Sequence, residues 1–209
     1  EKTYDGGTSL PKGITYCNGY FEPAGKDYFL SPTNLEPSDY TLTNEAFENA
    51  TVGKDKRISF TIQLKNKNYE FNTSYIEGLA KDGITVTADS ITYTNCIMPR
   101  SVHFNITPDT MPDFDKEVTL DIVNNHADTY TVDLSALLPK LESPRTYGEI
   151  EYSQPTVQLA SGYYTDGHAK IENGKLILTI DKNPVTTTGS IGTVTVEVKS
   201  TNYKPVTLT

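Results

Sequence analysis

The pattern that most constrains this chain is a strict alternation of apolar and polar residues that recurs along its length. Residues 58–64, ISFTIQL, set Ile58, Phe60, Ile62 and Leu64 on one side and Ser59, Thr61 and Gln63 on the other. The same period of two runs through ITVTA at 84–88, VTLDIV at 118–123, KLILTI at 175–180 and GTVTVEV at 192–198. Successive side chains of an extended chain point to opposite faces, so this period predicts strands with an apolar face turned inward. One wet and one dry face suits antiparallel pairing. Turn signals separate the runs: Asp5-Gly6-Gly7, Asp82-Gly83, Asp166-Gly167 and Asn173-Gly174. Asn-Gly within IENGKL, 171–176, predicts the tightest hairpin, because both residues tolerate the positive φ of a type I′ turn. Helix is expected only as a turn or two, over NEAFENA at 44–50 and LSALLPKLE at 134–142, where Pro139 prevents a long one.

The chain has 209 residues, room for two domains, since a domain runs to about 100–150 residues. An internal echo supports that division. ISFTIQLKNKNY at 58–69 and GTVTVEVKSTNY at 192–203 each read as an alternating strand, a short polar turn and an Asn-Tyr pair. Asn68-Tyr69 then stands on Asn202-Tyr203, with each tyrosine expected to cover the open end of a core. Pro99 interrupts the pattern, which places the expected boundary near 96–101. The fold class expected is all-β: two antiparallel β-sandwich (Ig-like) domains in tandem, residues 1–98 and 99–209.

A formal net charge of −9 repels phosphate backbones and anionic membrane surfaces, so nucleic acid is not an expected partner. No apolar run is long enough to span a bilayer, so no membrane insertion is expected. Both ends of the sequence read as cut from something longer. Cys17 and Cys96 are too few for a disulfide framework; one bridge would form in an oxidising compartment, but two separate buried thiols are expected.

KTYDGGTSL at the start, followed by EAFENATVGKDKRISFTIQLKNKNY, resembles the YDG-type repeat of bacterial surface proteins and adhesins. Lys2, Tyr4, Asp5, Gly6, Ala50, Gly53, Lys56, Asn68 and Tyr69 occupy the places of that pattern, over about residues 1–75. TYTVDLSALLPKL, TYGEIEY, YYTDGHAKIENGKLILTI and TTTGSIGTVTVEVKSTNYKPVTLT, within 129–209, are similar to repeats of large secreted proteins of gut Firmicutes. The resemblance implies an exported, cell-wall-associated module made of tandem β-sandwiches. It brings no catalytic residue and no cofactor.

Asp5-Gly6-Gly7 reads as a turn, Tyr4 as a ring buried at the domain edge, and Lys2 as a stem laid over that ring. Asp113, Asp115 and Glu117 alternate in PDFDKE, so an extended chain would turn three carboxylates to one side, the start of a calcium site. An acidic, solvated face is the plainer reading. Tyr163, Tyr164, Asp166 and His168 in SGYYTDGHAK make the stretch most suited to stacking on a sugar ring, against the plainer reading of a strand with one core and one rim tyrosine. His103, His126 and His168 lack ligand spacing, and no HExxH, CxxC, GxSxG or P-loop pattern occurs. An acid pair for glycoside hydrolysis remains an option without a tryptophan platform beside it. A Lys–Asn amide cross-link beside an acid is a further option, with Lys65 and Lys199 as candidates that sequence alone cannot pair. Sequons at Asn49, Asn72 and Asn105 matter only in a eukaryotic source. The expected function is a non-catalytic extracellular spacer or adhesive repeat, monomeric and joined to neighbouring domains. The alternative is a module that binds glycans or host surface proteins through exposed tyrosines.

Overall fold

The computed structural model describes residues 1–11, 38–71, 83–97, 103–121, 128–159, 167–180 and 189–209, with the backbone of two short strands at Tyr20–Phe21 and Tyr28–Phe29. The fold is all-β, built from several sheets that are mostly antiparallel, with one short helix among the described residues. It divides into two compact units, Glu1–Pro108 and Asp109–Thr209.

The first unit contains β1 (Lys2–Thr3), β2 (Tyr20–Phe21), β3 (Tyr28–Phe29), β4 (Tyr40–Phe47), β5 (Ile58–Leu64), β6 (Ile84–Val86), β7 (Ser90–Cys96) and β8 (Ile106–Thr107). Its main sheet runs β4-β5-β7-β6, all antiparallel. The ISFTIQL alternation becomes the strand β5, with Ile58, Phe60 and Ile62 buried. Phe60 stacks on Tyr93 of β7 at 4.6 Å between ring centres. Thr61 is buried on the opposite face, where its hydroxyl meets that of Thr92 at 3.1 Å. A buried hydroxyl keeps its place at low cost when it has such a partner.

Two expectations change here. NEAFENA is not helical at its start, because Asn44 to Phe47 complete β4. The cause lies in the pairing: Asn44 takes a φ of +57° and the register against β5 shifts between Thr43 and Ala46, a bulge that lets Phe47 return to the buried face. The unit boundary also falls after Pro108 rather than near 96–101. Residues 103–107 belong to the first unit because Phe104 and Ile106 are buried in it, Phe104 with its ring edge-on to Phe47 at 6.3 Å. β8 lies parallel to β1 and also bridges Gly53.

The second unit contains β9 (Asp128–Asp133), the helix α1 (Leu134–Leu137), β10 (Ile150–Tyr152), β11 (Thr156–Leu159), β12 (Gly167–Glu172), β13 (Lys175–Ile180), β14 (Gly192–Ser200) and β15 (Val206–Leu208). One sheet runs β12-β13-β9. In the other, β14 pairs β11 through Gly192–Thr195, β15 through Val196–Val198 and β10 through Val198–Ser200. IENGKL forms the expected hairpin, with φ of +51° at Asn173 and +73° at Gly174. α1 is a single turn: Asp133 caps it by accepting the Ser135 N–H at 3.0 Å, and Leu138, extended ahead of Pro139, ends it. VTLDIV departs from expectation. Among its described residues, 118–121 form no strand, and Val118 and Leu120 are exposed. Among the described residues, this edge is held by Thr209, which accepts from the Val118 N–H and donates to the Lys116 carbonyl.

Candidate functional site

The opening KTYDG stretch folds into a closed cluster. Asp5 Oδ1 accepts the Gly7 N–H at 2.8 Å across Gly6, whose φ of +80° is open to glycine. The Lys2 ammonium lies 2.8 Å from the same carboxylate and donates to the carbonyls of Gly7 and Ser9 at 2.9 and 3.0 Å. Lys2 therefore does more than cover a ring with its stem: its charged head ties the turn together. Partial burial alone would raise the Asp5 pKa. The Lys2 ammonium and the Gly7 N–H outweigh it and hold the carboxyl below its usual range. Tyr4 is 3% exposed, as expected of a ring packed at the unit's edge.

These residues sit where they do because the first and last strands of the unit meet. The Lys2 and Tyr4 N–H groups donate to the carbonyls of Asn105 and Thr107 at 3.0 and 2.9 Å. Ile106 between them turns its N–H and carbonyl the other way, to Gly53. The second unit closes similarly. Asp109 and Tyr203 form a parallel bridge, with the Asp109 N–H donating to Asn202 and the Lys204 N–H to Asp109.

The Asn-Tyr echo holds as strand, turn and pair, but not as packing. Asn202 and Tyr203 are 3% and 1% exposed; Asn202 Nδ2 donates to the Thr146 carbonyl at 3.0 Å, and the Tyr203 ring lies 5.5 Å from that of Tyr147. Asn68 is exposed and Tyr69 half-buried, in a turn where the Asn68 N–H donates to Asn66 Oδ1. Only the second tyrosine covers a core.

Tyr163, Tyr164 and Asp166 lie outside the described residues; His168 pairs with Thr179 in β12, its side chain outside the described set. Asp113, Asp115 and Glu117 are exposed, and Asp115 Oδ1 is engaged by the Glu117 N–H at 3.0 Å. Among the described residues, no group of three or more His, Cys, Asp or Glu side chains could hold a metal ion. His126 lies outside the described residues, whereas His103 Nδ1 pairs with Asp55 at 2.5 Å on the surface. Cys17 lies outside the described residues. Cys96 is a free, half-buried thiol, its pKa pushed up by burial against the pull of its bond to Thr94 and the charge of Arg57, which makes it a poor nucleophile.

Between its two sheets the second unit holds a cavity of about 620 Å³, walled by Val132, Leu134, Leu176, Leu178, Val194 and Val196. Its acidic lining residues, Glu117 and Asp121, are exposed, so the wall offers apolar surface rather than an acid pair in a dry cleft. The lysine candidates also change. Lys65 is exposed and the Lys199 side chain is 56% exposed beside Glu197, whereas the buried lysine is Lys56, with a side chain 6% exposed. The sequence marks Lys56 only as a place in the YDG-type pattern; that its amine is buried is shown by the fold.

No protein-family model, no curated protein and no solved structure matches this chain. Among the described residues, no helix is long and apolar enough to cross a membrane.

Proposed function

We propose that the chain is a non-catalytic, extracellular module of a bacterial cell-surface protein, a pair of Ig-like β-sandwich repeats acting as a spacer or adhesive segment. The observation that supports this reading is a parallel contact made by the first segment of each unit: β1 on the last strand, β8, and Asp109 beside Tyr203, which precedes the last strand, β15. Tension on the two ends of a unit runs along such a contact, so its hydrogen bonds are sheared together rather than opened one after another. A module that only had to present a pocket would gain nothing from this arrangement. The internal pairing of Lys2 and Asp5 agrees with it, since those groups serve the strand that carries the load.

Force spectroscopy on the chain, pulled through its ends, tests the proposal. Discrete rupture events, one per unit, are expected; gradual lengthening at low force with no rupture event would refute it. A parallel array of glycans, mucins and matrix proteins separates spacer from adhesive repeat. Saturable binding that disappears in a Tyr163→Ala/Tyr164→Ala variant assigns the adhesive role, and a flat array assigns the spacer. Hydrolysis of any arrayed glycan would overturn the non-catalytic reading.

A further inference from the structure

The loop between β4 and β5 brings a buried lysine up to a carboxamide and a carboxylate that lie at the surface. Lys56 Nζ donates to Asn49 Oδ1 at 2.7 Å and lies 3.9 Å from Glu48 Oε1. The same Asn49 oxygen accepts the Thr51 N–H at 3.1 Å. We propose that this is an autocatalytic cross-linking site, at which Lys56 and Asn49 join in an intramolecular amide bond.

The geometry sets the amine against the carboxamide, with the Glu48 carboxylate one water's reach away at 3.9 Å. The amine nitrogen touches the carboxamide oxygen, and the carbon to be attacked lies no more than one C=O bond, about 1.2 Å, beyond that oxygen. Rotation of the Asn49 side chain turns this contact into an approach to carbon at about the 3–3.5 Å of a reactive pair. In the resting conformer the Thr51 N–H already bonds that oxygen, and a rotation small enough to keep this bond leaves the donor facing the negative charge that develops there. Burial lowers the Lys56 pKa, against the opposing effect of the Glu48 charge, and so favours the uncharged, nucleophilic amine.

The step balances within the chain. The Lys56 lone pair forms the Nζ–Cγ bond, and the π electrons of the carbonyl move to Oδ1. Glu48, 3.9 Å from Nζ, takes a proton through one water from the nitrogen that attacked and returns it to Nδ2. The carbonyl re-forms, the Cγ–Nδ2 bond breaks with its electron pair on nitrogen, and ammonia leaves. Nothing is oxidised or reduced, and Glu48 returns to its starting form.

The product would close a ring around the loop carrying Gly53, the residue that β8 bridges on the side away from β1. Lys56 itself donates its backbone N–H to Phe104 at 2.9 Å, so the ring would brace the neighbourhood of the unit's last strand. This inference rests on the side chains at 48–56 and does not depend on the mechanical reading above.

Intact-mass measurement on the purified, denatured full chain tests it. The expected mass is lower than that of the sequence by one ammonia, with fragmentation placing the bond between residues 49 and 56. Lys56→Arg and Asn49→Ala should each restore the full sequence mass, and Glu48→Gln, which leaves both bonding partners in place, should slow the loss at least tenfold. A wild-type chain that keeps its full mass after prolonged incubation in the folded state would overturn the proposal. So would an ammonia loss that persists in Lys56→Arg, which would point to asparagine cyclisation elsewhere. Circular dichroism on each variant establishes that it folds, and Glu48→Gln supplies the test should the other two fail to.

Discussion

The two Asn-Tyr pairs provide a matched experiment, since the same residues end the same strand–turn pattern in surroundings that differ sharply. Tyr203 is 1% exposed and Tyr69 half-buried; Asn202 is buried and Asn68 exposed. An aromatic side chain buries about 150–250 Å², which at about 25 cal/mol per Å² corresponds to about 4–6 kcal/mol as an upper bound. Aromatic-to-alanine changes in cores cost about 3–5 kcal/mol. Tyr203→Ala should therefore destabilise the second unit by about 4 kcal/mol, a figure that includes loss of the ring contact with Tyr147. Tyr69→Ala should cost the first unit about half as much or less. Asn202→Ala removes the Nδ2 donor from the Thr146 carbonyl and should cost about 1–3 kcal/mol. Asn68→Ala should stay within about 0.5 kcal/mol, as exposed sites do. Two units need not unfold together, so a single melting curve is the wrong readout. Hydrogen exchange followed by mass spectrometry resolves each unit's opening free energy from its own peptides. Equal losses at Tyr69 and Tyr203, or a larger loss for Asn68→Ala than for Asn202→Ala, would refute the reasoning from burial.

Two further outcomes follow from the first unit. The Asp5 carboxyl has a lowered pKa in the fold, so its contribution is present above the ordinary carboxylate range and fades as pH falls through the lower, folded value. The side chain is 52% exposed, so solvent screening keeps that contribution below about 1 kcal/mol. Thermal melts should show Asp5→Asn less stable than wild type at neutral pH, with the gap closing in acid; a gap unchanged in acid would remove the Lys2–Asp5 pair as its source. Gly83 has a φ of +94°, and an added Cβ would stand 2.5 Å from the Thr94 carbonyl oxygen. Gly83→Ala should thus cost about 1–3 kcal/mol, through strain at a position closed to side chains. An unaltered urea midpoint would show that the β6–β7 edge yields freely.

What could be read from the sequence was what neighbouring residues decide. β5, the Asn173-Gly174 hairpin and the single turn of α1 each follow from residues within a few positions of one another. The Asp5 turn is local in the same way, and its expected form matches the observed bond to Gly7. The readings that changed depend on distant partners. Nothing near Pro99 reveals that Ile106 returns to lie between β1 and Gly53, so the boundary shifted by some ten residues. Alternation in VTLDIV promises a strand, yet among the described residues its backbone partner at 118–121 is Thr209. Lys56 is one of several charged residues in a polar loop, and only the approach of Phe104 and the turn at Asn49 reveal it as a buried amine.

The same contrast explains why the echo misleads about which tyrosine matters. Each unit holds its first segment against one near its end, a contact spanning about a hundred residues, so its closure cost is entropic and large enough to need anchoring. In the second unit the anchor comes late: Tyr203 is buried where Asp109 bridges it. In the first unit it comes early: Tyr4 is buried where its N–H donates to Thr107, and the Lys2–Asp5 clamp fixes the turn that follows. The counterpart of Tyr203 is therefore Tyr4 rather than Tyr69, although the strand–turn pattern aligns the latter. KTYDG is thus a closing device of the first unit, with its reactive-looking lysine and aspartate occupied by each other.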